Sequence, residues 1–401
     1  MDVTLLGTGA PVGLPRPDCP CAVCARALGA HARTPTALLV DGVLLLDLTP
    51  GAVLSAARAG QSLHGVRQVL LTHPHSGPVL ELPAELPTPV RVSDGRELAL
   101  LTGHRIRAVA VDAPGTGYAV TGPEGHLLLY LPPGAAPAGL TSGGPPYDMC
   151  LLDVVGRPDA LARLRAAGAV APMTDVLAVH LDHDVPPGAE LRRRLAAAGA
   201  RAEPDGATLA VGDSQLVPDL PRRTLVLGGA RSGKSAEAER RLAAFPDVVY
   251  VATGGRADAD AEWADRIAGH RERRPAGWST TETRDLVPLL AQPTGPPLLI
   301  DCLTLWLTDA MDAAGCWDDS AWHDGTARAA LTRRTAELVA ALRATWRTVV
   351  LVSNEVGSGI VPDTASGRRF RDELGRLNAS VAAECEQVLL LTAGTATLLR
   401  G

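Results

Sequence analysis

The sequence predicts an α/β protein of two domains, the C-terminal one a doubly wound, mostly parallel sheet with a phosphate-binding loop. Three observations lead to this prediction. The 401 residues are too many for one ordinary hydrophobic core, so two domains of about 200 residues each are expected. After residue 223, apolar runs alternate with helical stretches, as they do when helices cover both faces of a parallel sheet. One glycine-rich segment in that region lies between a strand-like run and a helical one.

Composition and charge narrow the class of protein. A hydrophobic fraction of 46% with 20% charged residues is typical of a soluble globular chain. The formal net charge of -6 argues against nucleic acid or an anionic membrane as a partner. No apolar run approaches the roughly 20 residues of a membrane helix, and the first residues carry no secretion signal. A cytoplasmic location is therefore expected.

Residues 1–212 are predicted to form a β-rich domain, because short strand-like runs there are separated by glycine and proline turns. These runs are Val3–Leu6, Ala37–Val40, Val43–Asp47, Gln68–Leu71 and Leu127–Leu131. Residues 213–223 contain two prolines and charges of both signs, and they are predicted to form a linker.

Residues 224–401 are predicted to form the second domain, in which strands and helices alternate. The strands are Thr224–Leu227, Val248–Val251, Leu298–Ile300 and Thr348–Val352. The helices are Ser235–Ala244, Ala259–Arg273 and Ala327–Ala344. Such short apolar strands between turn signals suit a parallel sheet that is buried on both faces.

A phosphate loop follows the first of these strands. The segment Gly228-Gly229-Ala230-Arg231-Ser232-Gly233-Lys234-Ser235 fits the pattern G-x-x-x-x-G-K-[ST]. Its glycines let backbone N–H groups approach phosphate oxygens, Lys234 would reach the β- and γ-phosphates, and the Ser235 hydroxyl would bind Mg²⁺. Lys234 is the single lysine among 38 basic residues, which indicates a position that a guanidinium cannot fill. The alternative is a chance glycine-rich turn.

Asp301 follows the strand Leu298–Ile300, at the edge where the carboxyl ends of parallel strands gather. A carboxylate there is predicted to hold Mg²⁺ or one of its waters beside the phosphate loop. The alternative is that Asp301 caps a helix that begins at Cys302.

Several further motifs follow the phosphate loop in order. They are Tyr250-Val251-Ala252-Thr253; Arg266-Ile267, His270, Arg274-Pro275 and Trp278; Thr281-Glu282; Leu299 to Thr304; and Ser353 to Pro362. Together they resemble the bifunctional adenosylcobinamide kinase / adenosylcobinamide-phosphate guanylyltransferase family across nearly all of residues 224–401. The resemblance implies that ATP or GTP phosphorylates adenosylcobinamide, and that GMP then passes from GTP through a histidine adduct to give adenosylcobinamide-GDP. It also implies a role in cobalamin (vitamin B12) biosynthesis and a homo-oligomer, a trimer, formed through this domain.

His270 is the nucleophile that the resemblance implies. Arg266, His270 and Arg274 are four residues apart, so on a helix they form one cationic stripe that can hold a triphosphate. From the residues alone, a packed helix histidine is the alternative; Gly269 stands where family members often carry a second histidine. The other nucleotide-binding positions implied are Ala252, Thr253, Arg271, Arg274, Glu282 and Asp301.

Motifs near the N-terminus resemble the phosphodiesterase branch of the metallo-β-lactamase superfamily. They are Leu5-Leu6-Gly7-Thr8-Gly9, Cys19-Pro20-Cys21-x-x-Cys24 and Leu71-Thr72-His73-Pro74-His75. The resemblance implies an αββα sandwich with metals at the strand ends. Only His73, His75 and His180 remain of the ligands it implies, and a dinuclear hydrolase needs more. A degenerate, non-hydrolytic domain is therefore predicted, with a single zinc on the three histidines as the alternative.

The cysteines indicate a different metal site. One tight cluster and four scattered singles are closer to metal binding than to a disulfide framework. Cys19, Cys21 and Cys24 offer three thiolates, and His183 stands where the resembling branch places a fourth ligand. A structural Zn²⁺ on these four residues is predicted, and three unliganded cysteines are the alternative.

Three functions remain open at this point. The first is the bifunctional cobinamide enzyme with a degenerate metallohydrolase-like domain attached. The second is a nucleotide-binding regulatory or scaffold protein. The third is a kinase fused to an active metal-dependent phosphoesterase.

Overall fold

The computed structural model describes residues 1–73, 85–140, 143–213, 221–254 and 274–401. The chain divides into two compact units. Unit one is Met1–Leu220 with Ala243–Pro246, and unit two is Pro221–Leu242 with Asp247–Gly401. The boundaries at residues 212 and 224 stay predictions, and residues 214–220 of the predicted linker lie outside the described part of the chain.

The described residues of unit one form two sheets. The five-stranded sheet has the order β11-β1-β2-β3-β4, and its strands are β1 (Asp2–Gly7), β2 (Ala37–Val40), β3 (Leu44–Leu46), β4 (Gln68–Leu70) and β11 (Thr208–Ala210). The six-stranded sheet has the order β10-β9-β8-β7-β6-β5. Its strands are β5 (Glu97–Ala99), β6 (Arg105–Val109), β7 (Gly117–Thr121), β8 (Leu127–Tyr130), β9 (Met149–Leu152) and β10 (Asp175–Ala178).

The two sheets pack face to face. Their inner faces share one hydrophobic core, in which Leu5 and Leu38 of the first sheet meet Ile106, Tyr118 and Leu128 of the second. Because side chains alternate along a strand, the neighbouring residues point outward and need a second apolar cover. Helices supply that cover.

In the described part of unit one, three helices cover the outer faces: α2 (Ala52–Arg58), α3 (Pro158–Ala166) and α4 (Ala189–Ala197). Ala52 and Ala56 of α2 pack against Leu39 and Leu45 of the first sheet. Leu161 of α3 and Leu195 of α4 belong to the core on the outer side of the second sheet. The short helix α1 (Ala22–Arg26) follows Cys21. The predicted αββα sandwich is confirmed.

Unit two is built on one seven-stranded sheet of order β14-β13-β15-β16-β12-β17-β18. Its strands are β12 (Arg223–Gly228), β13 (Val249–Ala252), β14 (Ser279–Glu282), β15 (Leu298–Asp301), β16 (Val349–Asn354), β17 (Gln387–Thr392) and β18 (Thr395–Arg400). Of these seven described strands, six are parallel and β18 runs antiparallel, at one edge. The predicted doubly wound, mostly parallel sheet is confirmed.

Helices of unit two lie between these strands. Among the described residues they are α5 (Lys234–Leu242), α6 (Val287–Leu290), α7 (Leu303–Ala313), α8 (Asp319–His323), α9 (Thr326–Ala344) and α10 (Ala365–Ala383). Leu303, Trp306, Leu338 and Leu377 of three of them pack into one core with the sheet. The predicted helix Ala259–Arg273 lies outside the described residues. In the described ranges, every helix is too short or too polar to cross a membrane.

Candidate nucleotide site and candidate metal centre

The phosphate loop lies between β12 and α5. Strand β12 lies in the middle of the sheet, between β16 and β17. The phosphate loop begins at its carboxyl end, the end at which ligands bind in open α/β sheets. Arg231 has a φ of 58° and Gly233 a φ of 93°, so the chain turns sharply before the helix. Lys234 is the first residue of α5, and its Nζ donates to the carbonyl oxygen of Gly229 at 3.2 Å. The side chain therefore folds back over the loop.

Gly228 has no room for a side chain. A Cβ there would lie 2.3 Å from Oγ of Ser232 and 2.8 Å from the carbonyl oxygen of Leu391. Ser232 is buried, and its Oγ has no hydrogen-bond partner among the residues that the structure describes. By contrast Gly229, Ala230 and Arg231 are exposed at the crest of the loop. A loop with a tightly packed base and an exposed backbone crest suits a ligand that is bound by N–H groups.

Asp301 ends β15 on the same edge of the sheet and is half-buried. One of its carboxylate oxygens, Oδ2, accepts from the hydroxyl of Tyr250 at 3.1 Å. The residue after it, Cys302, is the N-cap of α7, and no side-chain cap bond is made there. Asp301 therefore precedes the cap instead of forming it, which counts against the capping alternative.

Thr253 lies behind Asp301. Its hydroxyl donates to the carbonyl oxygen of Cys302 at 2.6 Å and accepts from the N–H of Cys302 at 2.8 Å. The side chain is fully buried. Both hydrogen-bonding roles of the hydroxyl are thus used on the backbone that follows Asp301.

The end of β16 is fixed from two sides. The N–H of Asn354 donates to Oγ1 of Thr304 at 3.0 Å, and its carbonyl oxygen accepts from Nδ2 of Asn378 at 3.0 Å. The Oγ of Ser353 donates to Oδ1 of Asn378 at 2.7 Å. Since Asn354 pairs with Gly228 across the sheet, this end of β16 lies directly beside the base of the phosphate loop.

The remaining predicted nucleotide residues are only partly described. His270 and Arg271 lie outside the described residues. Arg274 is described, and its guanidinium carbon lies 3.3 Å from the centroid of the Tyr250 ring, while Nη1 donates to Oγ1 of Thr280 at 3.3 Å. Glu282 ends β14 as an exposed residue, and Ala252 ends β13 half-buried.

Four side chains of unit one form a compact cluster. The Nδ1 of His183 lies 3.3 Å from Sγ of Cys19, 3.7 Å from Sγ of Cys21 and 3.5 Å from Sγ of Cys24. All four ligand atoms lie within 4.8 Å of one another. A tetrahedral zinc with bonds of about 2.0–2.3 Å requires ligand atoms at such separations. These residues could therefore hold a metal ion.

The backbone and the burial around α1 shift the pKa values of these thiols. Cys21 is the N-cap of α1, and the N–H of Cys24 donates to its Sγ at 3.4 Å. That N–H is the main reason why the pKa of Cys21 is lowered to about 6. Burial raises the pKa of Cys24.

The histidines of the other predicted ligand set are engaged elsewhere. The Nε2 of His180 donates to the carbonyl oxygen of Leu131 at 3.0 Å, and burial lowers the pKa of this ring to about 4. His73 donates from Nδ1 to Oγ1 of Thr72 at 2.8 Å, because that hydroxyl gives its own proton to Asp47. His75 lies outside the described residues.

The polar groups around these histidines satisfy one another. Asp47 is fully buried, and it accepts from the N–H and the hydroxyl of Thr72 and from the hydroxyl of Tyr130, each at 2.7 Å. The ring of Tyr130 stacks on His180 with centroids 5.6 Å apart. Asp112 is tied to Arg157 and Arg163 at 2.9 Å. In the described part of unit one, the cysteine cluster is the one group of three or more ligand-type side chains close enough for a metal.

Sequence reasoning missed the contacts that support the site. Nothing in the motif pattern indicated that Tyr250 and Thr253 contact Asp301 and Cys302, or that Asp47 joins Thr72 to Tyr130. A signal did exist for the first pair. If two neighbouring parallel strands end level, a side chain two residues before the end of one is a diagonal neighbour of the last residue of the other.

Comparison with known proteins places unit two in a family. A family model described as "Cobinamide kinase / cobinamide phosphate guanyltransferase" matches residues 224–399. The bifunctional adenosylcobalamin biosynthesis protein CobU of Salmonella typhimurium is 40% identical over 174 residues, which are 42% of this chain and 95% of the relative. The chain belongs to this family. CobP of Pseudomonas aeruginosa, another bifunctional adenosylcobalamin biosynthesis protein, is 42% identical over 187 residues, 45% of this chain and 98% of the relative.

The family match includes the residues at the phosphate-loop edge of the sheet in unit two. The phosphate loop, Asp301, Asn354 and Arg274 all lie within the residues that the kinase / guanyltransferase model matches. Most of unit one lies outside that match, so the family contributes no function for it.

Two solved structures are similar to part of this chain. Zn²⁺-bound PqqB from Methylobacterium extorquens covers 52% of this chain and 100% of its own length, with 18% identity and a TM-score of 0.39. A diphosphatase from the PhnP family covers 52% of this chain and 97% of its own length, with 20% identity and a TM-score of 0.39.

Proposed function

We propose that unit two carries out two reactions of cobalamin biosynthesis. In the first, ATP or GTP phosphorylates the hydroxyl of adenosylcobinamide. In the second, GMP from GTP is transferred to adenosylcobinamide phosphate, which gives adenosylcobinamide-GDP. The observation that supports this most is the phosphate loop with its folded-back Lys234, on one edge with Asp301 and Asn354, inside the region that the family model matches.

Residues 228–235 bind the phosphates in this proposal. In this proposal, backbone N–H groups of the exposed residues Gly229, Ala230 and Arg231 face the phosphate oxygens, together with the amino end of α5. Lys234 exchanges its bond to the Gly229 carbonyl for the β- and γ-phosphates and stabilises the charge that develops there. Transfer breaks the bond between the γ-phosphorus and the β–γ bridging oxygen and forms a bond to the substrate hydroxyl, whose proton is released.

Mg²⁺ is the expected cofactor of these steps. A serine hydroxyl and a carboxylate on one edge of the sheet are the hard oxygen ligands that this ion prefers, so Ser235 and Asp301 fit it. When bound, the ion would neutralise phosphate charge.

His270 is the nucleophile of the second reaction in this proposal. An imidazole nitrogen bonds to the α-phosphorus of GTP, the bond to the bridging oxygen breaks, and pyrophosphate leaves. The substrate phosphate then displaces the histidine and takes the GMP. Five further residues are assigned to the nucleotide. Arg271 and Arg274 are assigned by their positive charge, Glu282 by its match to an acidic position of the family, and Ala252 and Thr253 by their place at the end of β13.

For unit one we propose a structural Zn²⁺ on Cys19, Cys21, Cys24 and His183. Four protein ligands complete the tetrahedral coordination that is typical of structural zinc, and the four ligand atoms here lie close enough together for it. Catalytic zinc sites instead keep one coordination position open. His73, His75 and His180 form no hydrolytic site in this proposal, because His180 and the buried Asp47 are committed to hydrogen bonds within the protein. Association of copies through unit two also belongs to the proposal, and light scattering of the purified chain tests it.

The proposal is tested by following the corrinoid product. The full chain is incubated with adenosylcobinamide, Mg²⁺ and ATP, and then with GTP, and the corrinoids are identified by chromatography and mass spectrometry. We expect the phosphate after the first step and the GDP derivative after the second, and neither from Lys234→Ala. If nucleotide binds with micromolar affinity while the corrinoid is unchanged, the regulatory or scaffold function replaces this one.

A further inference from the structure

We infer that Tyr250 is a positioning residue that aims the carboxylate of Asp301. This inference rests on the proposed function, in which Asp301 holds Mg²⁺ or one of its waters. Neither residue needs to touch the substrate for the inference to hold. Tyr250 acts through its hydrogen bond to Asp301, so its effect is on the affinity for the metal.

The sheet register brings the two side chains together. On the neighbouring parallel strands β13 and β15, Tyr250 pairs with Leu299 and Ala252 pairs with Asp301. Asp301 is two residues beyond Leu299, so it lies on the same face as Tyr250, as a diagonal neighbour. A carboxylate cannot span that separation by itself, but the long phenol ring can. Its hydroxyl donates to Oδ2 at 3.1 Å.

Tyr250 can only act as a donor here. The ring is 6% exposed, and burial together with the nearby Asp301 raises its pKa, so the phenol keeps its proton at every working pH. A hydrogen bond to one oxygen leaves the other lone pairs of the carboxylate for a metal or for its water. The arrangement matches the usual support of metal ligands, in which an outer group fixes the orientation of the ligand.

Two further contacts hold this pair in place. The guanidinium carbon of Arg274 lies 3.3 Å from the centroid of the Tyr250 ring, over one face of the ring. Thr253, also on the β13 side, binds both the N–H and the carbonyl oxygen of Cys302, directly after Asp301. The side chain and the following backbone of Asp301 are therefore both fixed from β13.

The same contacts link Arg274 to Asp301, the proposed metal ligand. Residues 255–273, which include His270, precede Arg274 directly in the chain. Arg274 reaches Tyr250, and Tyr250 reaches Asp301. Loss of the hydroxyl is expected to disturb the metal, and not the stacking of Arg274, because the ring remains.

The test compares Tyr250→Phe with wild type in the full chain, with Mn²⁺ as a spectroscopic probe for Mg²⁺. Free Mn²⁺ is measured by electron paramagnetic resonance with the protein in excess over ADP, and a titration of ADP alone gives the Mn²⁺ that ADP itself binds. We expect the dissociation constant for Mn²⁺ to rise about tenfold, because a hydrogen bond to a charged group contributes on the order of 1.5 kcal/mol. The affinity for ADP without metal and the melting temperature stay close to wild type. The kinase rate falls at limiting Mg²⁺ and recovers at high Mg²⁺.

Two variants make the result decisive. Tyr147→Phe, which removes another buried phenol oxygen but in unit one, is the control and leaves Mn²⁺ binding unchanged. Asp301→Asn weakens Mn²⁺ binding more than Tyr250→Phe does if the proposed metal role is right, because it removes the charge of the ligand and not only its orientation. If Asp301→Asn binds Mn²⁺ like wild type, the metal role in the proposed function is wrong.

If Asp301→Asn weakens Mn²⁺ binding while Tyr250→Phe binds the ion like wild type, the positioning role is wrong and the metal role stands. Should Tyr250→Phe fail to fold, Asp301→Glu serves instead, since it keeps the ligand but moves it away from the hydroxyl. A wild-type Mn²⁺ affinity in Asp301→Glu would overturn the inference as well.

Discussion

The phosphate loop of unit two and the region around His180 in unit one both lie at strand ends and both carry motifs of known sites. They differ in whether their polar groups are already hydrogen-bonded within the protein. At the phosphate loop of unit two, the crest from Gly229 to Arg231 is exposed. Around His180 in unit one, the ring nitrogen, the carboxylate of Asp47 and the hydroxyl of Tyr130 all bind one another or the backbone. The residues of the phosphate loop are exposed to a ligand, whereas the polar groups around His180 are hydrogen-bonded within unit one.

The difference shows that matching residue types do not make a site. A buried polar group must be satisfied, and where no ligand or metal supplies the partner, the protein does. The cysteine cluster of unit one gives the third case, since its four ligand atoms converge on one point and not on separate backbone groups. Convergence is therefore what separates the site that we assign to zinc from the histidines that we leave without metal.

The largest effect is expected at Lys234. Lys234→Ala removes the cation that is placed over the loop, and the kinase rate constant should fall about a hundred- to a thousandfold, as on loss of one charge-stabilising donor. Lys234→Arg should recover little of this, because the guanidinium is larger and planar. Arg240→Ala, on the exposed side of the same helix, is the control and should stay near wild type. A Lys234→Arg enzyme with wild-type turnover would contradict this use of the lone lysine.

The next effect concerns zinc. Cys24→Ala should lower the zinc content, measured by atomic absorption, from about one to about zero per chain and should destabilise unit one, because metal binding is coupled to folding. Cys150→Ala removes another buried thiol of unit one, which is far in sequence from the cluster. It should keep the zinc and cost only about 1 kcal/mol. Equal zinc content in both variants would refute the four-ligand site.

A smaller effect concerns His180 and pH. Since burial lowers its pKa from the usual 6.5 to about 4, the unfolded chain binds a proton at a higher pH than the folded one does. The free energy of unfolding should therefore fall between pH 6.5 and pH 4, by up to about 3 kcal/mol. His180→Gln keeps a donor for the Leu131 carbonyl but does not titrate, so this loss should be absent from the variant.

Asp153 acts in the opposite direction in the same range. Burial raises its pKa from 3.8 to about 6, so the folded chain binds a proton first and this residue adds stability as the pH falls from 6 to 4. The measurement is therefore the difference between wild type and His180→Gln in urea unfolding at pH 7, 5.5 and 4.5. A difference that does not change with pH would mean that His180 is not held neutral by burial.

The smallest effect is expected at His73. If this histidine binds no metal, His73→Ala should leave the zinc content at about one per chain and the kinase rate within about twofold of wild type. Phosphodiesterase turnover with a model diester should be undetectable in both proteins. Loss of a second equivalent of metal, together with diester hydrolysis in wild type, would restore the kinase–phosphoesterase alternative.

The sequence was sufficient where patterns are local. The strand, glycine-rich turn and helix around Gly228–Ser235 are contiguous, and the structure has strand β12 and helix α5 there, with shifts of one or two residues at their ends. The cysteine cluster was predicted with its distant partner His183 only because a family pattern supplied the pairing. Its 3.3–3.7 Å separations agree with that prediction.

The rest depended on contacts that no local pattern specifies. Strand β17 was not predicted, although it lies beside the phosphate-loop strand and its Leu391 carbonyl closes against Gly228. The bond from Tyr250 to Asp301 joins residues 51 positions apart and depends on which strands are neighbours. The hydrogen bond of His180 could not be predicted either, because its partner is a backbone carbonyl 49 residues away in the sequence.

The central claim is that unit two transfers GMP through His270, while unit one contributes no hydrolysis. The most direct measurement is the intact mass of the full chain after incubation with GTP and Mg²⁺, for wild type and for His270→Ala, with His323→Ala as the matched histidine control. The account predicts a gain of one GMP, labile in acid and stable in base, in wild type and in His323→Ala, and no gain in His270→Ala. An adduct that persists in His270→Ala, or none in wild type under conditions where the kinase step proceeds, would contradict it.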